Sequence, residues 1–423
     1  MSRDLTATEA AARLGVKRDT LYAYVSRGMV SRRVSTDGRS SRFDAAEIDS
    51  LRRGRRRRAT GEIDAVLATS ITSIDDAVLL IRGHDLPDLV AGGASFEAVV
   101  DLLWDAAPGA LTAPVARREE VQRVQALLSA DTDLLQRLRI TVAMAGADPL
   151  RHDLSAAGVV GAGRALIGLM VDGLPVRAPA AAPDRSAFGA PTPEDGVAAE
   201  PPLAARLWAR LGAAPTSPAR VRVLDAAMAL LVDHGLAVST FGARLAASVR
   251  ADPYSVVTAG LGVIGGTRHG AASAQVHELL ERAAVVGPAA AVGEFHRRGG
   301  FIPGFGHVIY RQRDPRQVLL DLHLRRGWPD DPRMDLLDGV FTAVRSRSEV
   351  VANVDLTLGA LTWLTGWSAD SGEAIFAIAR TAGWLAHALE EYDEEPLRFR
   401  PRARYVGPRT GSPESDGGTG DQA

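Results

Sequence analysis

From residue 61 onward, apolar residues recur every three to four positions. ASFEAVVDLLWDA, EEVQRVQALLSADTDLLQRLR and RVRVLDAAMALLVDH each carry such a stripe, which is the spacing of an amphipathic helix. Strict alternation, the mark of a half-buried strand, is scarce, so the pattern predicts a mainly α-helical body. Two segments lack periodicity. Residues 177–202, RAPAAAPDRSAFGAPTPEDGVAAEPP, are rich in Ala and Pro and read as a mobile loop between two helices. Residues 410–423, the end of GPRTGSPESDGGTGDQA, read as a disordered tail.

Residues 1–58 have a different rhythm. In LTATEAAARLGVKRDTLYAYVSRGMV, Thr6 is placed to cap a helix with Glu9 at the capping-box position. That helix carries Ala11, Ala12 and Leu14, and Gly15 ends it. A second short helix is predicted from about Arg18, burying Leu21 and Val25 and exposing Lys17, Arg18 and Tyr22. In RRVSTDGRSSRF, Asp37-Gly38 marks a hairpin turn flanked by arginines. FDAAEIDSLRRGRRRR then returns to helical periodicity and ends in a basic run. Helix, turn, helix, basic hairpin, helix resembles the small winged helix-turn-helix of excisionase and MerR-like proteins. The resemblance implies DNA contact through Lys17, Arg18, Tyr22, Arg32 and Arg39, with one helix in the major groove and the wing on phosphates. A small bundle whose charge is merely solvated is the alternative.

Charge sharpens the division. Residues 1–58 hold 15 Lys+Arg and 7 Asp+Glu, a balance of +8; the remaining 365 hold 34 and 44, a balance of −10. A basic head on an acidic body suggests two modules with different partners. At 423 residues, with 46% apolar and 24% charged content, the chain has room for two or three globular domains. No run of about 18 apolar residues occurs, and MSRDLTATEA has no signal-type apolar core, so a cytoplasmic protein is expected. The absence of cysteine excludes disulfides, thiolate nucleophiles and cysteine metal sites.

Three of the nine histidines stand in unusual settings. His234 closes a long apolar helix in LLVDHGLAVSTFGARLAAS, and His269 lies in GGTRHGAASAQV between a glycine-rich turn and a helix start. His307 sits in PGFGHVIYRQRDPR, among glycines and prolines that argue for a shaped loop, with arginines directly after it. His84, His152, His277, His296, His323 and His387 read as surface or packing residues. No His-x-x-x-His pair supports zinc, and no Gly-x-Ser-x-Gly elbow supports a serine hydrolase. GLGVIGG is glycine-rich, but its helical context speaks against a dinucleotide fingerprint.

The run from LVDHGLAV to RHGAASAQV, then PGFGHVIYRQRDPR, NVD at 353–355, ARTAGWLAH at 379–387 and RPRARYVGP at 400–408 resemble citrate synthases, in the family's order. The earlier SITSID and LLIRGHDLPDLVAGGASFEAVVDLLWDA fit the family's N-terminal region. The resemblance covers about residues 61–409. It implies a large domain at 61–269 and 368–409, a small domain at 270–367, and a homodimer whose substrate cleft closes between the domains. A winged helix-turn-helix at 1–58 precedes them.

The family's chemistry takes a proton from the methyl group of an acyl thioester and joins the resulting carbon nucleophile to a 2-oxo acid. By resemblance Asp355 is the base and His269 the neutral donor to the thioester carbonyl, its helix-start setting lowering its pKa. His307 donates to the ketone oxygen, and His234 hydrogen-bonds oxaloacetate. Arg316 and Arg380 clamp carboxylates in forked bonds. Arg400 reaches the neighbouring subunit's site, and Phe376 lines the keto-acid pocket. Arg311, Gly304, Gly306, Arg345 and Arg347 fall to coenzyme A, and Arg313 to solvent. Plainer roles stay open: Asp355 as a helix cap, Arg380 and Phe376 as packing, Arg400 as tail charge.

The pattern departs from the family at several lining positions. Ala352 stands where Pro is usual before Asn353-Val354-Asp355, and Leu356 replaces an aromatic. Ser273 takes the place of an Asn, and Thr267-Arg268 that of Pro-Leu before His269. A lysine for coenzyme A is missing, leaving Arg345 or Arg347. The expected activity is acetyl-CoA plus oxaloacetate to citrate and CoA, with no cofactor and no metal. The alternatives are 2-methylcitrate synthesis from propionyl-CoA, and a DNA-binding regulator whose enzyme-like body senses a metabolite.

Overall fold

The computed structural model describes residues 4–26, 30, 32–34, 41–45, 48, 66–75, 78–176, 200–266, 270–299 and 301–401. The chain divides into two compact units, Met1–Ala68 and Thr69–Ala423.

In the first unit a strand, Asp4–Thr6, leads into the helix Ala7–Leu14. Thr6 caps it as the sequence predicts: Glu9 N–H donates to Thr6 Oγ1 at 3.3 Å, and Thr6 N–H to Glu9 Oε2 at 2.8 Å. The two bonds satisfy donors that a helix start leaves unpaired. Gly15, at φ +65°, ends the helix in the left-handed region. The helix Arg18–Ser26 follows, then the strands Arg33–Val34 and Ser41–Asp44. Ser41–Asp44 is the middle strand, antiparallel to both of the others.

Leu5, Ala10, Ala11, Leu14, Leu21, Val30, Phe43 and Ile48 form this unit's core, with Val25 packed on its edge. Of the apolar residues on the first helix, Ala12 faces solvent, and Ala7, Ala10, Ala11 and Leu14 make up the inward stripe. One expectation is corrected. Tyr22 is half-buried rather than exposed: its ring meets Phe43 edge-on at 6.4 Å and its hydroxyl donates to Ser41. Lys17, Arg18 and Arg32 are exposed, and Arg32 lies 6.0 Å from the Tyr22 ring centroid. Arg39, the Asp37-Gly38 turn and the basic run of 52–58 lie outside the described residues.

The second unit is mainly helical. A small antiparallel meander that the periodicity did not reveal, Thr72–Asp75, Val78–Ile81 and His84–Asp85, opens it. The helices Leu86–Ala91, Phe96–Trp104, Val115–Gln125, Leu134–Ala145 and Ala156–Asp172 follow. Most of the 177–202 segment and all of 410–423 lie outside the described residues. The chain resumes with Leu203–Leu211, Pro218–Leu231, Val238–Ser248 and Pro253–Ile264. Ala272–Val286, Pro288–Gly299, Arg333–Arg345 and Val354–Thr365 pack on one another, and Pro315–Gly327 lies against both Val354–Thr365 and Pro218–Leu231.

Ser371–Tyr392 runs through the centre. It is apolar on nearly every face, as a helix enclosed by others must be. Gly260 lets the Pro253–Ile264 helix approach it closely, since a Cβ there would sit 2.6 Å from the Trp384 ring. Among the described residues no helix is long and apolar enough to cross a membrane.

Candidate active site

Two segments far apart in sequence are stitched together around His307. Gly304 and Gly306 adopt φ of +79° and +93°, a region open to glycine and strained for other residues. Gly304 also passes so close to Leu356 that a Cβ would lie 2.9 Å from its Cα. Gly306 N–H donates to Val351 O at 2.7 Å, Asn353 N–H to Gly304 O at 2.9 Å, and Asn353 Nδ2 to Gly306 O at 2.9 Å. The other side of the same amide caps the helix Val354–Thr365, Asn353 Oδ1 accepting from Asp355 N–H. Asn353 is therefore the cap, and the Asp355 carboxylate is free of that job.

The His307 tautomer follows from its neighbours. Nδ1 accepts from Ile309 N–H at 3.0 Å and Tyr310 N–H at 3.1 Å, so the proton of the neutral ring is on Nε2. Burial and the nearby Arg316 charge lower its pKa and keep the imidazole neutral. What remains is a fixed N–H donor.

His234 follows the Pro218–Leu231 helix. Its predecessor Asp233 is fully buried and accepts from Thr72 Oγ1, from Gly235 N–H at 3.0 Å and from His387 Nε2 at 3.3 Å. These bonds hold the turn that presents His234. Burial, with Arg316 and Arg380 facing it, puts the His234 pKa well below the usual histidine value. Its ring lies 5.4 Å from that of His307, nearly perpendicular.

Arg316 is almost fully buried and bound to Asp314 at two points, Nε to Oδ1 at 3.0 Å and Nη2 to Oδ2 at 2.8 Å. Asp314 also caps the Pro315–Gly327 helix and accepts Val354 N–H at 3.1 Å. It thereby ties the arginine to the start of the Asp355 helix. Arg380, likewise buried, donates Nε to Leu231 O at 2.8 Å and stacks 4.6 Å from the Phe376 centroid. Burial pulls its pKa down to about 10.

Asp355 faces both arginines and Asp314. Burial is the main reason its carboxyl is pushed up to about 6; Arg316 opposes this and Asp314 adds to it. A carboxylate so perturbed, sharing its two guanidinium neighbours with two neutral imidazoles, has the make-up of a proton-transfer site for an anionic substrate.

The structure thus brings His234, His307, Arg316, Phe376, Arg380 and Asp355 to one place. His269 lies outside the described residues; the helix after it begins at Ala272 with no side-chain cap. Arg400 is exposed, just beyond Arg398, whose Nε and Nη2 donate to Glu391 at 2.8 and 2.6 Å.

Of the coenzyme A candidates, Arg345 lines a cavity of about 500 Å³ with Gln312, Arg313, Phe341, Ser348 and Val350. Arg313, read from the sequence as solvated, is exposed and also belongs to that lining. Arg347, just past the end of the Arg333–Arg345 helix, donates to Ala343 O, Arg311 is exposed, and Gly304 and Gly306 serve the His307 loop.

Sequence reasoning missed Asp314, Tyr310, the capping role of Asn353, and the part played by His387. The last is a core link, not a simple packing residue: Arg244 Nη1 donates to its Nδ1 at 3.1 Å while its Nε2 meets Asp233. Asp directly before a Pro-Arg helix start was the available signal for Asp314. Among the described residues, no cluster of three or more His, Asp or Glu is placed to hold a metal.

Fold and site together define a helical enzyme with an acid–base centre and forked cations for carboxylates. The family description "Citrate synthase, C-terminal domain" matches residues 63–402. The citrate synthase of Acidithiobacillus ferridurans is 30% identical over 384 residues, 82% of this chain and 94% of that one. The citrate synthase of Haloferax volcanii is 34% identical over 188 residues, so that match spans 43% of this chain and 49%, about half, of the relative. In fold, the chain resembles the citrate synthase of Thermoplasma acidophilum, solved as a ternary complex with carboxymethyl coenzyme A and oxaloacetate. The TM-score is 0.63 at 20% identity, covering 84% of this chain and 97% of that one. The chain belongs to the citrate synthase family.

Proposed function

We propose that the protein condenses acetyl-CoA with oxaloacetate to give citrate and CoA. Asp355 removes a proton from the acetyl methyl group while His269 donates to the thioester carbonyl oxygen. The enol carbon attacks the ketone carbon of oxaloacetate, and the ketone oxygen takes the Nε2 proton of His307 to become the hydroxyl. Water then hydrolyses the citryl thioester, releasing CoA. His234 donates to oxaloacetate, and Arg316 and Arg380 hold its carboxylates. Arg345 and Arg313 offer charge to coenzyme A phosphates. The reaction draws on no cofactor beyond the thioester, and cleft closure excludes water before enolisation.

The observation that carries this reading is the His307 ring, whose Nδ1 accepts two amides and leaves Nε2–H as donor, facing the same Arg316 that faces a carboxylate raised to about 6. The test is thiol release from acetyl-CoA with oxaloacetate, repeated with propionyl-CoA. Faster turnover with acetyl-CoA is expected; a preference for propionyl-CoA selects 2-methylcitrate synthesis, and no turnover with either removes the enzymatic reading.

A cytoplasmic homodimer is part of the proposal, with Arg400 completing the neighbouring subunit's site. A second activity is favoured by the helix pair and three-stranded sheet of the first unit together with its +8 balance over residues 1–58. We read this unit as a winged helix-turn-helix that contacts DNA through Lys17, Arg18, Tyr22, Arg32 and Arg39, coupling gene control to the metabolite-binding body.

A further inference from the structure

Tyr310 touches three members of the site at once. Its hydroxyl lies 3.0 Å from His234 Nε2, its ring lies 4.5 Å from that of His307, and the Arg316 guanidinium is 5.7 Å from its centroid. Its backbone N–H is one of the two donors that set the His307 tautomer. The side chain is 1% exposed. A buried tyrosine needs a partner for its hydroxyl, and here that partner is an imidazole of the site rather than a carbonyl of the scaffold. Phenylalanine would fill the same volume without that requirement.

The direction of the bond follows from the donors available. A neutral His234 with its proton on Nδ1 leaves Nε2 as an acceptor 3.0 Å from the phenol oxygen. Nε2 is then the lone pair that receives the phenol proton. Tyr310 remains protonated, since burial raises it to about 12.

We propose that Tyr310 is a positioning residue for keto-acid binding: its O–H orients His234 and strengthens the Nδ1–H that the substrate shares, while its ring and amide hold His307 in register. A donor whose other nitrogen accepts a hydrogen bond is polarised toward stronger donation. The inference rests on the condensation reading for the identity of the substrate, but not for the Tyr310–His234 bond.

Tyr310→Phe removes only the hydroxyl and is the informative variant. Its KM for oxaloacetate rises about tenfold, a loss on the scale of one polarised hydrogen bond, while KM for the acyl thioester stays within about twofold. Its thermal midpoint equals that of the wild type. Tyr310→Leu, which also removes the ring beneath His307, lowers kcat as well. In the full-length protein labelled with nitrogen-15 histidine, the His234 Nε2 resonance shifts toward a free imine nitrogen in Tyr310→Phe, and that of His307 does not. An unchanged His234 resonance, an unchanged oxaloacetate KM, or equal losses for both substrates with a lower thermal midpoint would overturn the proposal. A wild type that turns over neither thioester removes the condensation reading alone, because the histidine resonance reports the Tyr310 bond without turnover.

Discussion

Asp314 holds Arg316 through both of its oxygens, at 3.0 and 2.8 Å, with the two side chains 0% and 4% exposed. The carboxylate works in two directions. It fixes the plane of a guanidinium aimed into the site, and its third bond, from Val354 N–H, anchors the helix that carries Asp355. Removing one partner of such a buried pair leaves an uncompensated charge and costs about 3 kcal/mol. Asp314→Asn is therefore expected to lower the urea midpoint and raise KM for oxaloacetate. Asp314 is also one of the charges that raises Asp355, so the acid limb of the rate profile moves to lower pH. Stability, KM and a pH profile measured on one variant check all three.

Asp355 has to be ionised to accept a proton, and its carboxyl titrates at about 6. Turnover is expected to be flat above that value and to fall with unit slope as pH drops through it. Asp355→Asn abolishes turnover and leaves oxaloacetate binding by calorimetry largely intact. A folded variant with near-normal turnover removes Asp355 from the base role.

The same shift has a stability consequence of opposite sign. A carboxyl raised from 3.8 in the unfolded chain to about 6 in the fold favours the folded state below the lower value and loses that contribution as pH rises through the higher one. Asp355→Asn is thus expected to unfold at higher urea than the wild type at pH above about 7, by about 3 kcal/mol. The difference vanishes below about pH 3. Paired urea titrations at the two pH values test this.

Arg400 is exposed in the single chain, and the anchoring of Arg398 to Glu391 delivers it to the surface. If it completes the neighbouring site, Arg400→Ala and Asp355→Asn fail separately but complement when mixed. Half of a random mixture is heterodimer with one intact site each, so about a quarter of wild-type activity returns after joint refolding. No recovery places Arg400 outside the partner's site.

For the first unit, binding of the full chain to a mixed-sequence DNA duplex is expected to weaken about tenfold or more when salt rises fourfold, because phosphate contacts release counterions. Lys17→Ala with Arg18→Ala flattens that salt dependence. Fluorescence anisotropy across a salt series gives both numbers, and an absence of binding at low salt returns the unit to a structural role.

The wild-type sequence made several features readable without a fold. The Thr6–Glu9 box and the Gly15 stop were legible because each bond spans three or four residues. The helical body was legible because periodicity is a property of short windows, and the His234, His307 and Asp355 motifs because their order resembles that of the citrate synthases. The meander at 72–85 was not, its strands being two to four residues long, too short for alternation to stand out.

Partners distant in the chain needed the tertiary structure. Val354 N–H reaches Asp314 across 40 positions, and His387 reaches Asp233 across 154. Sequence alone determined which residues are able to act as acids, bases and cations, since that depends only on side-chain chemistry. Packing decided the rest: which carboxylate pairs with Arg316, which histidine nitrogen keeps its proton, and how far burial lifts Asp355. Those properties arise from neighbours and from lost water, and neither exists until the chain has folded.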